Sequence, residues 1–190
     1  MSDPLRDALR NGGELELPNV APAAPPKGLR NRLLDAATLE GRFDRFVTEL
    51  AAMLDLSELK ARTLLNHIDA PGSFAAELPG TEFFWLPGGP KTEGAVRGFV
   101  RVQVGAELPP HSHLGHETVM ILQGIYVDAV TGERFAPGQS FEGQAEDVHQ
   151  FRVAGGGTDL LLATVVHGGY TIGDMVIGPR PYTGPELPED

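Results

Sequence analysis

At 190 residues the chain suits one domain with appendages, or one domain and a small second one, and a hydrophobic content of 41% provides for a core and excludes global disorder. The formal net charge of −11 excludes the basic face of a nucleic-acid binder and the polybasic patch of a membrane-surface protein; such an acidic surface keeps a protein soluble and is compatible with a basic protein partner. With no cysteine in the chain, disulfides, thiolate metal ligands and cysteine nucleophiles are all excluded.

The N-terminal "MSDPLRDALRNGG" has no apolar signal core, and the longest apolar runs, "VMIL" and "DLLLATVV", fall short of the ~20 residues a membrane span needs. A cytoplasmic protein that does not cross a membrane is therefore expected. Residues 1–26 are polar and then Pro/Ala-rich ("LPNVAPAAPP"), which reads as a flexible tail and semi-rigid linker, with a short amphipathic helix conceivable at Leu5 to Leu9. Residues 27–72 read as a helical arm. "KGLRNRLLDAA" leads into "EGRFDRFVTELAAMLDL", where Phe43, Phe46, Val47, Leu50, Met53 and Leu54 share one face at helical spacing. Ser57 is placed to N-cap a further helix, "ELKARTLLNHI", whose Leu64, Leu65 and Ile68 can pack back on the first, and "APG" at 70–72 ends it. So small a hairpin is expected to dock on the rest of the chain or on a second copy. A helix-turn-helix DNA reader is the sharper alternative, but the segment is not basic enough to hold phosphates.

From about residue 80 the period changes to two. "AVRGFVRVQV", "ETVMILQGIYVDA", "QSFEGQ", "HQFRVA" and "TDLLLATVVHGG" are short strand patterns separated by Gly- and Pro-containing turns, which predicts an antiparallel sandwich or barrel. In "GFVRVQV", Val100, Val102 and Val104 share one face and Arg101 and Gln103 the other, as in a half-buried strand. Residues 181–190 read as a C-terminal tail.

The segment "PPHSHLGHETVMILQG", residues 109–124, holds three of the six histidines and a glutamate just ahead of an apolar run. In an extended strand residues two apart point the same way, so His111 and His113 project from one face. "LG" supplies a turn, and Glu117 shares parity with Val119 and Ile121, which directs its carboxylate inward. An inward carboxylate is costly unless paired or bound to a cation. A divalent metal held by two imidazoles and this carboxylate answers that cost. His149, in "EDVHQF", shares parity with Phe151 and Val153 and can supply a fourth donor. Three histidines and one glutamate leave one or two positions open on a first-row ion that takes five or six donors.

On these residues the chain resembles the cupins. Gly105, five residues, His111-Ser-His113, three residues, Glu117, six residues and Gly124 match the first cupin motif at each defining position. Gly132, Pro137-Gly138 and His149 resemble the second, with a lengthened spacing to the histidine and Arg152 where an asparagine is sometimes seen. The resemblance implies an all-β cupin (jelly-roll) barrel over residues 80–180 with a small N-terminal α-helical segment, and it gives the metal-ligand roles to His111, His113, Glu117 and His149. "PPHSHLGHETVMILQGIYVD" and "LLLATVVHGG" are also similar to the cupin half of ChrR-type anti-sigma factors, and "APPKGLRNRLLDAA" to the segment that joins their sigma-binding helices. This implies a metal-bound regulator acting on a sigma factor or another protein partner. The zinc site of the anti-sigma domain needs a His and a Cys-x-x-Cys pair, however, and this chain has no cysteine.

Three functions follow from that pattern. One is a regulatory cupin holding zinc, or iron, manganese or nickel, with a small-molecule ligand in the barrel and the helical arm carrying the output to a partner. Another is a metal-dependent enzyme of dioxygenase or isomerase type, with Glu146 as a conceivable base. The third is a storage-type barrel with a vestigial site. A homodimer is expected, as the commonest oligomer. Of the remaining histidines, His116 has parity opposite to Glu117 and is expected to face solvent, His67 to lie on a helix surface, and His167 to be structural unless it lines a pocket. Trp85, Phe99, Phe135 and Phe151 read as ordinary core, with cavity walls as the alternative.

Overall fold

A computed structural model describes residues 41–155 and 157–189; the tail and linker expected over 1–26, and the segment "KGLRNRLLDAA", lie outside the described residues. A 3-10 turn at Asp44–Phe46 leads into helix α1 (Val47–Leu54), followed by α2 (Glu58–Asn66). Asp55, in the left-handed region at φ 55°, closes α1 and allows the sharp reversal. Ser57 caps α2 as the sequence predicts, accepting from the Lys60 N–H at 3.5 Å. The last carbonyl of α1 is also satisfied from outside the helix, by the Gly89 N–H and the Thr92 hydroxyl.

Twelve strands follow among the described residues, with the first beginning at Ala75. They are β1 (Ala75–Leu78), β2 (Thr81–Trp85), β3 (Ala95–Val102), β4 (Glu107–His113), β5 (Glu117–Gln123) and β6 (Tyr126–Asp128). The remainder are β7 (Arg134–Phe135), β8 (Ser140–Gly143), β9 (Val148–Val153), β10 (Leu160–His167), β11 (Tyr170–Ile172) and β12 (Met175–Ile177). They form two six-stranded antiparallel sheets, ordered β1-β2-β3-β10-β5-β8 and β12-β11-β4-β9-β6-β7. The inner faces meet in one core that includes Phe83, Val100, Val102, Leu108, Ile121, Phe151 and Leu162. This is the jelly-roll arrangement, with the period-2 alternation of each strand deciding which residues enter it.

The outer face of the first sheet is covered as well. Leu50, Leu54, Leu64 and Ile68 of the helical layer form a second core with Phe84, Phe99, Met120, Leu122 and Ala163. The β3 strand is therefore buried on both sides, not half-buried as its alternation predicts: Phe99 is 0% exposed on the outer face and Val102 0% on the inner. The alternation misleads because Arg101 keeps its charge at the margin, over the Phe74 ring at 3.9 Å, while its neighbours go under the helices. Val104 departs from expectation in the other direction. The strand stops at Val102, and Val104 is 39% exposed in the turn, its N–H donating to Asp159. Past β12, Tyr182 stacks on Phe84 at 6.3 Å and Leu187 packs against the same second core. No described helix is long and apolar enough to cross a membrane.

Because helices and sheets share Phe84, which is 1% exposed and touches the rings of His67, Phe74, Phe99 and Tyr182, they are expected to unfold together. Phe84→Ala should cost about 3–5 kcal/mol in urea unfolding, with Trp85 fluorescence and far-UV circular dichroism tracing one transition. A loss under about 1 kcal/mol, or two separated transitions, would contradict this packing.

Candidate metal centre

The local chain path explains why the histidines face inward. Leu108 pairs with Phe151, and His111 with His149, so three steps along β4 match two along β9. That is a β-bulge, and it falls on Pro109 and Pro110, residues that a ladder tolerates at such a place. The extra residue lets Leu108 and His111 both point into the barrel, with exposures of 6% each. His113, two residues on, follows on the same side at 2%. After the turn, Glu117 opens β5 on the inner face, 6% exposed. The turn itself needs Gly115, since a Cβ there would stand 2.6 Å from the His167 carbonyl oxygen.

Four sequence-expected residues meet at this point. His149 Nε2 lies 2.9 Å from His113 Nε2, and Glu117 Oε2 lies 3.0 Å from His113 Nε2 and 3.6 Å from His149 Nε2. The His111 and His149 rings are 4.2 Å apart. Each of His111, His113 and His149 offers a ring nitrogen within 4.8 Å of the others, so this group could hold a metal ion. A ring of surrounding bonds orients the donors. The Pro109 carbonyl accepts from His111 Nδ1 at 3.0 Å, which leaves the Nε2 lone pair for the interior. Tyr126 Oη lies 3.1 Å from His149 Nδ1, and the Thr164 hydroxyl donates to Glu117 Oε1 at 3.0 Å. On the far side of His113 is Gly143, where a Cβ would come within 2.9 Å of the ring.

The electrostatics are those of basic groups packed against one acid. Burial lowers the His111 pKa to about 4, helped by His149, so this imidazole is neutral and its lone pair free. Burial likewise lowers His149, against the attraction of Glu117. Burial also acts to lower His113, but the Glu117 carboxylate beside it outweighs burial and leaves the pKa raised. For Glu117, burial raises the pKa, and the pull of His113, His149 and His111 more than offsets it, so the carboxyl is held below its ordinary value. Glu117 Oε2 nonetheless receives no well-aligned hydrogen bond, even with His113 Nε2 at 3.0 Å. A buried carboxylate oxygen in that state, beside two imidazole nitrogens in contact, fits a cation between them.

Two cavities adjoin the cluster. A small chamber of about 40 Å³ lies on the side of His111, Glu117 and His149, walled by residues such as Phe83, Val119, Phe151 and Tyr170. A vestibule of about 210 Å³ lies on the side of His113 and His149, and Asp128, Glu133, Glu142 and Asp147 line it.

The other sequence candidates stand elsewhere. His116 is outside the cluster, 40% exposed in its side chain and 3.6 Å from Glu142. His167 falls on the outer face of its sheet, opposite Ala95, and lines neither cavity. His67, expected on a helix surface, is half-buried at the end of α2 against Phe84, at 5.9 Å, because the helix end tucks onto the sheet. Glu146 is exposed in the turn before β9, its N–H donating to the His113 carbonyl, and it lines neither cavity. Of the four aromatics, Phe151 lines the chamber and Phe135 the vestibule, Trp85 belongs to the barrel core, and Phe99 lies under the helices. Sequence reasoning missed Tyr126, Thr164 and Tyr170. Thr164 carried a signal, as the one hydroxyl inside the apolar strand 160–166.

No protein-family model and no curated protein matches the chain. Solved structures do. The anti-sigma ChrR in complex with SigE of Rhodobacter sphaeroides is 18% identical, with 86% of this chain and 75% of that chain covered and a TM-score of 0.50. A cupin-like protein of unknown function from Ralstonia eutropha is 20% identical over 48% of this chain and 62% of its own, with a TM-score of 0.43. An acetylacetone dioxygenase of Acinetobacter johnsonii is 13% identical, with 57% and 81% covered and a TM-score of 0.49. The chain thus spans about 62% of the length of the Ralstonia protein. The two antiparallel sheets form a jelly-roll fold similar to that of these cupin-like structures, and they enclose a three-histidine group of the kind that can hold a metal ion.

Thr164→Val keeps the shape of that side chain and removes the donor to Glu117, leaving Oε1 buried without a partner. A loss of about 1–3 kcal/mol in urea unfolding is expected, and an unchanged midpoint would contradict the bond.

Proposed function

We propose that His111, His113, Glu117 and His149 hold a single divalent metal ion, and that the protein is a metal-binding cupin with a regulatory role exercised through a protein partner. The observation that carries the metal is the convergence of donors: three imidazole ring nitrogens within 4.8 Å of one another beside a buried carboxylate oxygen without an aligned donor. Zinc is the proposed ion, since three imidazoles and a carboxylate suit it, and iron, manganese or nickel would accept the same donors. When bound, the ion supplies Lewis acidity and an open position for a small ligand. The chain contributes fixed donors, outer partners that set their orientation, and apolar walls that exclude water.

The chamber favours a regulatory role over a catalytic one. At about 40 Å³ it has room for about three water-sized groups and none for a chelating diketone or polyphenol. A sigma factor is the proposed partner, because the similar ChrR protein is an anti-sigma factor in complex with SigE. The helical arm is the proposed contact, with Leu59 of α2 standing 53% exposed on it. The chain has no cysteine, so this contact would not use a zinc site of the His and Cys-x-x-Cys kind. The protein is proposed to act in the cytoplasm as a homodimer. One observation supports the alternative, a dioxygenase-type enzyme: the vestibule of about 210 Å³ reaches His113 and His149 and is large enough for a small substrate.

Elemental analysis of the purified protein is expected to give a single equivalent of divalent metal per chain, lost in His111→Ala; a metal-free wild-type protein that also fails to take up Zn(II) or Co(II) would end the metal reading. For the role, protein reconstituted with Fe(II), Mn(II) or Ni(II) is expected to consume no oxygen with diketones or polyphenols, while a sigma factor is retained by the wild type and released by Leu59→Asp. Sustained oxygen uptake would establish the enzyme in its place.

A further inference from the structure

The chamber beside the histidine cluster contains one hydroxyl with nothing to bond. Thr164 is committed to Glu117 and Tyr126 to His149. Tyr170, at the start of β11, is 5% exposed, lines the chamber, and its Oη has no hydrogen-bond partner. Its ring is fixed by stacking on Phe83 at 6.4 Å and by the edge of His111 at 6.0 Å. In the ladder it pairs with His113, so its position follows the strand that carries two of the imidazoles. A buried donor without an acceptor costs about 1–3 kcal/mol, and a ligand that accepts from it recovers that energy.

Charge and size then select the ligand. Three neutral imidazoles and one carboxylate give a bound divalent ion a formal charge of +1, from 2 − 1. That charge faces a wall built of Phe83, Val100, Leu108, Val119, Leu162 and Val166, which solvates it poorly. A monoanion cancels it, whereas a dianion would leave an excess negative charge in the same apolar space. The vestibule across the cluster carries Asp128, Glu133, Glu142 and Asp147, and so repels an anion on that side.

The geometry points to the chamber as a subsite for a small monoanion of about three heavy atoms or fewer, bound at the metal and receiving a hydrogen bond from Tyr170 Oη. This rests on the metal reading above and names the ligand class of that same site. Tyr170 touches the ligand and sets specificity, while Tyr126 only orients His149.

Azide is the probe, titrated into the full chain loaded with Co(II) and followed by visible absorption. The wild-type spectrum is expected to change saturably. In Tyr170→Phe the azide Kd is expected to rise about tenfold, or about 1.4 kcal/mol, with Co(II) affinity unchanged. Acetylacetonate, a monoanion too large for the chamber, is expected to bind more weakly than azide. Equal azide affinity in the two Co(II)-loaded proteins overturns the role of Tyr170 and leaves the metal site standing, and so does a Tyr170→Phe protein that loses Co(II). Acetylacetonate binding as tightly as azide overturns the size limit. Failure of the wild type to take up Co(II) overturns the metal reading and this subsite with it.

Discussion

Three imidazoles and a carboxylate converge in an apolar barrel, and burying the carboxylate there carries an electrostatic cost that a positive charge among them offsets. The His113–Glu117 contact at 3.0 Å and the His113–His149 contact at 2.9 Å state how close that convergence is. A proton on His113 offsets part of the cost, as its raised pKa reflects. A divalent ion would engage all four side chains at once, and the outer bonds from Pro109, Tyr126 and Thr164 are placed as partners that would hold such ligands in position.

The fold supplies that convergence by ordinary means. Two sheets provide inward positions on β4, β5 and β9, and a bulge at the proline pair brings His111 to the inner side without moving Leu108 out of it. Close packing then fixes the rings. Gly143 leaves no more room beside His113 than its own hydrogen needs, and the β5–β10 ladder brings Thr164 against Glu117. On the other side of the same sheet the helical layer buries Phe84, Phe99 and Met120, which stiffens the strand pair behind the site. Glu117 and the helical arm are thus attached to opposite faces of one sheet, while the three histidines come from the other.

Much of this was legible in the residues. Period-two alternation placed His111 with His113, and Glu117 with Val119 and Ile121, because a strand face is set locally by the chain itself. His149 was legible through its parity with Phe151 and Val153. What escaped were contacts between distant segments. The hydroxyls of Tyr126 and Tyr170 reach the cluster only after the sheets are assembled, and nothing beside them in sequence marks the partners. The double burial of β3 escaped for the same reason: alternation reports which residues share a face, not whether a helix will cover the outer one. Val104 was misassigned because the pattern ran on past Val102 into a turn that Gly105 makes at φ 79°.

X-ray absorption at the metal edge of the purified protein distinguishes a shared ion from an empty cluster. A first shell of nitrogen and oxygen at about 2.0–2.2 Å is expected, with the outer-shell scattering of three imidazole rings. A first shell without imidazole scattering, or with the same scattering after His113→Ala and His149→Ala, would contradict it.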